Sequence, residues 1–437
     1  MGLLAELARR NAGVSAPFLV GDRESVTFAE VAAAASAAGS DLDRIRSGDV
    51  TAIVGDFETA SIASMLTLLD RGAIVMPLTE GTAPDHEYLL NSGRVGWVVR
   101  GGSVERRDAR TDSHSLALLQ ELRLRNHPGV IFFSSGTTGR PKAILHDFTN
   151  FLARYETPRP PLRTLNFLLF DHAGGINTLL HTLFNSGVVV VPSERTPEAV
   201  ARDILKHNVE LLPATPTFLR MMLLAGIFDA GALPSLRLVT YGTERMDQST
   251  LNQLCERLPD VDFRQTYGLS ELGVFQVKSR ARDSLWMKIG GKGIETRIVD
   301  GVLHIRSGNR MLGYLNAASP FVDGWYDTGD IVEEDDGWIR IVGRTNQTIN
   351  VGGLKILPSE IERIALTFPG VLRAKAVGVA NPITGQHIEV TCEPANGASL
   401  DRRDVMAHFR RHLQKQLCPH RVVIGAVPVS HRFKQQG

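Results

Sequence analysis

Cysteine is scarce: three residues in 437, Cys255, Cys392 and Cys418, far apart and with no CxxC pair. That excludes a disulfide framework and a cysteine-based zinc site, and it fits a reducing compartment. There is no excess charge of either sign, because 48 basic residues face 47 acidic ones. Bulk attraction to nucleic acid or an anionic membrane is therefore excluded, and any anion site must be local. No uninterrupted apolar stretch approaches the roughly 18 to 20 residues of a membrane span. The opening "MGLLAELARRN" carries a charge by residue 6, unlike the apolar centre of a signal peptide. A soluble cytoplasmic protein is the expectation. Internal repeats and low-complexity segments are missing as well.

What remains is ordinary globular composition, 43% apolar and 22% charged, in a chain long enough for two domains or more. Helical patterns alternate with short β-rich runs, as in a sheet covered by helices. "DVTAIVGD" (49–56), "ETASIASMLTLLDRG" (58–72) and "AIVMPL" (73–78) read as strand, helix and strand. "GINTLLHTLFNSG" before "VVVVP", and "TPEAVARDILKHNV" before "ELLPATP", repeat that order. Gly72 and Gly187 are placed to cap helices at their C-termini. From about residue 290 short alternating runs with Asp-Gly turns indicate antiparallel hairpins. After the polar "RTNQ" a mixed tail follows, with "SEIERIALTFPG", "AKAVGVA", "HIEVTCEP" and "DRRDVMAHFRRHLQKQL". Within it, His408 and His412 lie one helical turn apart among arginines, which reads as a solvated basic face rather than a metal site.

"SSGTTGRPK" (134–142) gathers hydroxyls, glycines and a lysine after an apolar run. The NTPase loop needs four residues between its glycines, and here Gly136 and Gly139 enclose two. The physics is shared, since glycine lets the backbone approach an anion and hydroxyl and amide donors surround phosphate oxygens. Alone such a loop is more often a turn. Four further stretches support it: "QTYGLSE" (265–271), "GWYDTGD" (324–330), "GRTNQTINVGGLKILPSEIE" (343–362) and "VPVSHRFK" (427–434). In this order and spacing the five resemble the acyl-adenylate-forming (AMP-binding) superfamily of acyl- and aryl-CoA synthetases, luciferases and peptide-synthetase adenylation domains.

The resemblance implies an α/β fold: a large N-terminal domain of helix-covered β-sheets plus a β-rich subdomain (1–345), then a small mobile α/β C-terminal domain (346–437). It implies ATP as cosubstrate, with Ser134, Ser135, Gly136, Thr137, Thr138, Gly139 and Lys142 clasping the β- and γ-phosphates. Tyr267, with Gly268 and Ser270, would border the adenine, and Glu271 would hold magnesium. Asp330 would accept both ribose hydroxyls, as a carboxylate readily does, with Arg344 helping. Tyr241, Gly242 and Thr243 of "YGTE" lie where the family presents backbone to the adenine and substrate. Lys434 would bridge the attacking carboxylate and the α-phosphate, although Phe433 stands where the family has glycine. Asn346 takes the hinge position, where relatives commonly carry a charged residue. Rotation there would withdraw Lys434 and bring up Gly352, Gly353 and Lys355, beside which a pantetheine thiol enters.

"FLLFDHAGGINTLL" (167–180) bears on the acid. Laid on the ligase pattern it puts His172, as a catalytic or substrate residue, at the mouth of the acyl pocket; laid on the amino-acid-activating pattern it makes Asp171 the ammonium partner. Gly175, Ile176 and Asn177 favour the first. An apolar floor from "TPTFLRMML" suggests an aryl or medium aliphatic acid. No carrier-protein sequence is present, so the acceptor is expected to be CoA or the phosphopantetheine of a separate acyl or peptidyl carrier protein, with the enzyme a monomer or homodimer. Two other readings stay open: amino-acid activation or amide formation through the same adenylate, and a catalytically silent nucleotide- or acyl-binding relative.

Overall fold

The computed structural model describes residues 2–38, 42–109, 112–134, 140–229, 233–395 and 397–428. Two seven-stranded sheets, the first parallel but for one edge pairing and the second mixed, form the bulk of the chain. One runs, in spatial order, Asp262–Gln265, Leu238–Tyr241, Leu211–Ala214, Arg163–Leu165, Val188–Val190, Pro17–Val20 and Ser25–Thr27. The other runs Gly313–Tyr314, Ala143–Asp147, Gly129–Phe133, Ile74–Leu78, Val50–Val54, Trp97–Arg100 and Ser103–Arg106. Strands covered on both faces read as continuous apolar runs. Accordingly every residue of Val50–Val54, Ile74–Leu78, Gly129–Phe133 and Ala143–Asp147 is buried.

The helices Thr59–Asp70 and Ala173–Phe184 lie in a core shared by both sheets, with Leu19 and Val189 from one and Ile53, Val75 and Phe132 from the other. A helix covered on all sides must be apolar on all sides, and Thr59–Asp70 buries every residue from Ser61 to Leu69. Gly72 closes it at φ +82°, as the C-cap pattern predicts. Gly187 does not repeat this. After Ala173–Phe184 the left-handed residue is Ser186, at φ 55°, and Gly187 is needed for space, since a Cβ there would lie 2.6 Å from the Leu162 carbonyl oxygen.

A third, antiparallel sheet contains Gln276–Ser279, Met287–Gly290, Trp338–Arg344, Trp325–Asp335, Val302–Ser307 and Ile294–Val299. Asp300 and Gly301, both at positive φ, make the tight turn of its last hairpin. The C-terminal part forms a five-stranded sheet around Val371–Asn381 and Gly385–Pro394, covered by the helices Pro358–Leu366 and Arg402–His412. Within it His408 is buried, not solvated: its Nε2 meets the Ile364 carbonyl at 3.0 Å and the Thr367 hydroxyl at 2.9 Å. The arginines beside it take the outer face of that helix, so the interleaved pattern hid a core position.

Among the described residues, the hydrogen bonds that cross from the large part to this last unit end on main chain. Arg220, on the helix Pro216–Leu224, donates from Nε to the Leu372 carbonyl at 2.5 Å and from Nη2 to the Val371 carbonyl at 3.3 Å. Arg245 donates to the Ser359 carbonyl at 3.4 Å, and the Ser359 hydroxyl donates to the Val342 carbonyl at 2.8 Å. Among the described residues no helix is long and apolar enough to cross a membrane.

Candidate active site

The strand Gly129–Phe133 delivers the chain to the phosphate loop and Ala143–Asp147 carries it away, side by side and antiparallel. The base of the loop is closed twice over. Ser134 N–H donates to the Lys142 carbonyl at 3.1 Å, and Lys142 N–H donates to the Ser134 hydroxyl at 3.1 Å. Ser135, Gly136, Thr137, Thr138 and Gly139 lie outside the described residues. Beyond them the Pro141 carbonyl accepts the Tyr88 hydroxyl at 2.9 Å and the Asn316 amide at 3.2 Å, while Asn316 Oδ1 accepts the Ala143 N–H at 2.8 Å. Lys142 is exposed, with its ammonium 4.9 Å over the Tyr314 ring.

That same tyrosine reaches the expected metal ligand. Glu271 is buried, and its Oε1 accepts the Tyr314 hydroxyl at 2.7 Å. Burial together with the Glu271 charge pushes the phenols of Tyr314 and of Tyr326 well above their ordinary pKa, so both stay protonated donors. The backbone of this segment is pinned too: the Ser270 carbonyl accepts from His146 Nε2 at 2.6 Å, and the Glu271 carbonyl accepts from Met311 N–H at 2.7 Å. His146 lies against Phe132 and Phe151, and burial pulls its pKa down to about 4. A neutral imidazole facing a carbonyl must carry its proton on Nε2.

Asp330, 2% exposed, is the second buried carboxylate. Its Oδ2 accepts the Tyr267 hydroxyl at 2.6 Å, its Oδ1 accepts Arg344 Nε at 2.8 Å, and its N–H donates to the Thr328 hydroxyl at 3.0 Å. Asp330 and Arg344 are direct cross-strand partners, so register alone sets the ion pair. Burial opposes the Arg344 charge, and the Asp330 carboxylate overrides it, so the arginine's pKa rises. Tyr267 is driven far above its ordinary pKa by burial first and by Asp330 second, and its ring stacks near-parallel on Phe275 at 6.0 Å. Gly268 has no room for a Cβ, which would lie 2.7 Å from the Gly273 carbonyl oxygen.

On the expected acid side, Gly242 leaves the strand Leu238–Tyr241 where a Cβ would sit 2.2 Å from the Thr266 hydroxyl oxygen, and Thr243 follows at φ +70°. Tyr241 is buried. His172 caps the helix Ala173–Phe184, its Nδ1 accepting the Gly174 N–H at 3.0 Å. Asp171 is buried, and Arg195, which donates to the Phe167 carbonyl at 2.8 Å, has its pKa lowered by burial against the charges of Asp56 and, less, Asp171. Of the segment expected to give the apolar floor, Phe218, Leu219, Met222 and Leu223 are packed in the core around the Leu238–Tyr241 sheet. Their 3.6-residue spacing marks the core side of a helix equally well.

Asn346 lies exposed in the turn Thr345–Gln347. Gly352 and Gly353 form the tip of the hairpin from Ile349–Val351 to Leu354–Ile356, both at positive φ with open space around them, and Lys355 is exposed. Lys434 lies outside the described residues. Tyr88, His146, Tyr314, Asn316 and Tyr326 are additions that the motifs did not single out. Tyr326 had a signal in standing inside "GWYDTGD"; the others meet the site only through contacts distant in the chain.

A sequence profile of AMP-binding enzymes matches residues 5–315. A fatty acid–[acyl-carrier-protein] ligase, MmaC, of Mycobacterium marinum is 29% identical over 345 residues, covering 68% of this chain and 64% of that protein. The chain thus spans less than two thirds of that relative's length. A feruloyl-CoA synthase of an Amycolatopsis species is 25% identical over 442 residues, covering 89% of this chain and 88% of its own. The crystal structure of ATP-bound MatB from Rhodopseudomonas palustris superposes with a TM-score of 0.82 at 19% identity, covering 100% of this chain and 97% of that one. The agreement in fold reaches past the profile into the C-terminal unit, and the profile itself covers most of the chain, which belongs to the AMP-binding enzyme family.

Proposed function

We propose that this enzyme activates a carboxylic acid with ATP as an acyl-adenylate, releases pyrophosphate, and passes the acyl group to the pantetheine thiol of CoA or of a separate carrier protein. The observation that carries the reading is the pair of buried, pre-bonded carboxylates, Glu271 under Tyr314 and Asp330 between Tyr267 and Arg344, next to the closed base of the phosphate loop. A carboxylate is a poor electrophile, and joining it to AMP makes its leaving group a stable phosphate ester. The relatives named for fatty acids and for ferulate act on carboxylic acids with a thiol acceptor, which supports the same chemistry here.

The donor set fits Mg2+, a hard cation that takes one or two carboxylates and completes its shell with substrate phosphates and water. Glu271 accepts one hydroxyl at Oε1 and has lone pairs left for the ion. When bound, the ion neutralises charge moving onto pyrophosphate. Asp330 would take the ribose hydroxyls, each oxygen adding a second donor to the one it holds. Tyr267, held protonated, orients that carboxylate. Residues 1–345 would act as the binding unit and 346–437 as the unit that swings at Asn346, supplying Lys434 for adenylation and the Gly352–Gly353 hairpin for thiol transfer.

Acid-dependent exchange of pyrophosphate into ATP across aryl, aliphatic, dicarboxylic and amino acids tests this. Exchange with a carboxylic acid, followed by thioester formation on adding CoA or a loaded carrier protein, is the expected result. ATP binding without exchange for any acid would instead favour a silent nucleotide-binding relative.

A further inference from the structure

Three side chains that the adenylation reading does not use converge at the edge of the first sheet. One coordinating atom from each of Asp22, Asp203 and His207 lies within 4.8 Å of the other two, and among the described residues no other trio of His, Cys, Asp or Glu comes so close. Asp22 stands in the turn between Pro17–Val20 and Ser25–Thr27. Asp203 and His207 are four positions apart on the helix Pro197–His207, so they share one face of it, one turn apart. The loop after Val188–Val190 ties the two elements together. Val191 N–H donates to the Val20 carbonyl at 2.8 Å, and Ser193 N–H donates to Asp203 Oδ2 at 2.7 Å.

Each member of the trio has a lone pair to give. Asp203 is 4% exposed, and both of its hydrogen bonds, from the Ser193 N–H and the Ser193 hydroxyl, end on Oδ2. Its Oδ1 takes no donor among the described residues, a costly state for an oxygen of a buried carboxylate unless something binds there. The ring nitrogens of His207 make no hydrogen bond either; only its carbonyl is engaged, by Arg163 Nε at 2.5 Å. Burial first and Lys206 second hold the imidazole below its ordinary pKa, so at neutral pH it offers a lone pair rather than a charge. Asp22 is exposed and can swing: its Oδ1 accepts Lys206 Nζ at 2.7 Å, and its Oδ2 takes no bond among the described residues. Lys206 and Asp22 are both more than half exposed, and such an ion pair yields readily to a more highly charged cation.

We propose that Asp22, Asp203 and His207 bind a divalent cation of the Zn2+ type, which clips the sheet-edge hairpin to the helix Pro197–His207. This goes beyond the adenylation reading and does not rest on it. Two carboxylates and an imidazole suit zinc, with water completing the shell. Tetrahedral ligands about 2 Å from the ion stand ~3.4 Å apart, so atoms now within 4.8 Å must close by ~1.4 Å at most, a shift that rotation of the exposed Asp22 supplies. Ser193 already provides the outer hydrogen bonds that orient a ligating carboxylate. Mg2+ is a poor match, since it demands an octahedron of oxygens and gives up its water reluctantly.

The test titrates Zn2+ into the chelator-treated full-length chain, by calorimetry and by thermal shift, for the wild type, D22N, H207Q and K206M, with Mg2+ as the control ion. The expected result is one Zn2+ per chain and a Tm that climbs once Zn2+ exceeds its Kd, with neither effect from Mg2+ at the same concentration. D22N and H207Q should each weaken binding by ~10-fold or more, since losing even an outer partner of a metal ligand costs that much. K206M removes the cation that competes for Asp22 and should tighten binding, the opposite of what general damage to the fold would do. Co2+ in place of Zn2+ reads the coordination directly: visible absorption bands should appear in the wild type and be lost in H207Q. Zn2+ binding that survives both D22N and H207Q belongs to other groups, such as the cysteines, and overturns the proposal. Absence of Zn2+ binding to the wild type, or weaker binding by K206M, overturns it as well. None of these outcomes touches the adenylation reading, which pyrophosphate exchange tests separately.

Discussion

At the proposed nucleotide centre the bonds run from side chain to side chain: Tyr267 to Asp330 at 2.6 Å, Arg344 to Asp330 at 2.8 Å, Tyr314 to Glu271 at 2.7 Å. At the seam to the C-terminal unit, Arg220, Arg245 and Ser359 address main-chain carbonyls instead. The first kind of bond depends on the identity of both partners, and removing one leaves the other buried and unsatisfied. The second kind depends on where a backbone oxygen lies. It can be dissolved and remade without leaving a mismatched side chain, which would suit the proposed swing of the C-terminal unit. A preassembled centre beside a re-dockable seam is what a two-step enzyme of the proposed kind needs.

The contrast predicts unequal sensitivities. Asp330→Ala strips the partner from the buried Tyr267 and the partly exposed Arg344 at once and removes the proposed ribose acceptor, so exchange kcat/KM should fall ~10³-fold, about 4 kcal/mol of transition-state stabilisation. A loss under tenfold would mean that the centre is not preassembled in solution. Next comes acid sensitivity through His146. Its pKa is about 4 in the fold against an ordinary 6.5, so the unfolded chain binds the extra proton between those values. Its contribution is present above pH 6.5 and lost as pH falls toward 4, by as much as about 3 kcal/mol. Urea unfolding from pH 7 to 4 should show that slope, and H146Q, which can still donate to Ser270, should flatten it.

Glu271→Gln keeps the Tyr314 contact and removes the charge. Exchange should drop ~30-fold at fixed Mg2+ and recover in part as Mg2+ is raised. An unchanged Mg2+ dependence would exclude Glu271 as the ligand. Smallest is the seam: Arg220→Ala removes hydrogen bonds worth about 1 kcal/mol, so adenylation should slow ~5-fold relative to transfer from supplied acyl-AMP. Equal slowing of both half-reactions would show that Arg220 merely supports the helix Pro216–Leu224.

The sheet-and-helix alternation was legible because strands such as Val50–Val54 are buried on both faces and so read as apolar runs. Glu271 and Asp330 could be nominated because each stands in a short local motif, and the structure adds that both are buried and already bonded. Tyr314 and His146 were not, since they meet Glu271 and Ser270 across 43 and 124 positions of chain, and no local pattern records a cross-sheet pairing. Gly187 and His408 were misread for a related reason. Each had a plausible local role, and in each case a packing constraint from elsewhere in the fold decided.

The seam has a bearing on engineering. Main-chain carbonyls at positions 359, 371 and 372 are offered by any sequence that forms the same helix start and strand edge. A C-terminal unit grafted from a distant member onto residues 1–345 therefore finds its docking points ready, provided Arg220 and Arg245 stay. On the proposed division of labour, exchange of that unit would alter the acceptor while leaving the choice of acid untouched.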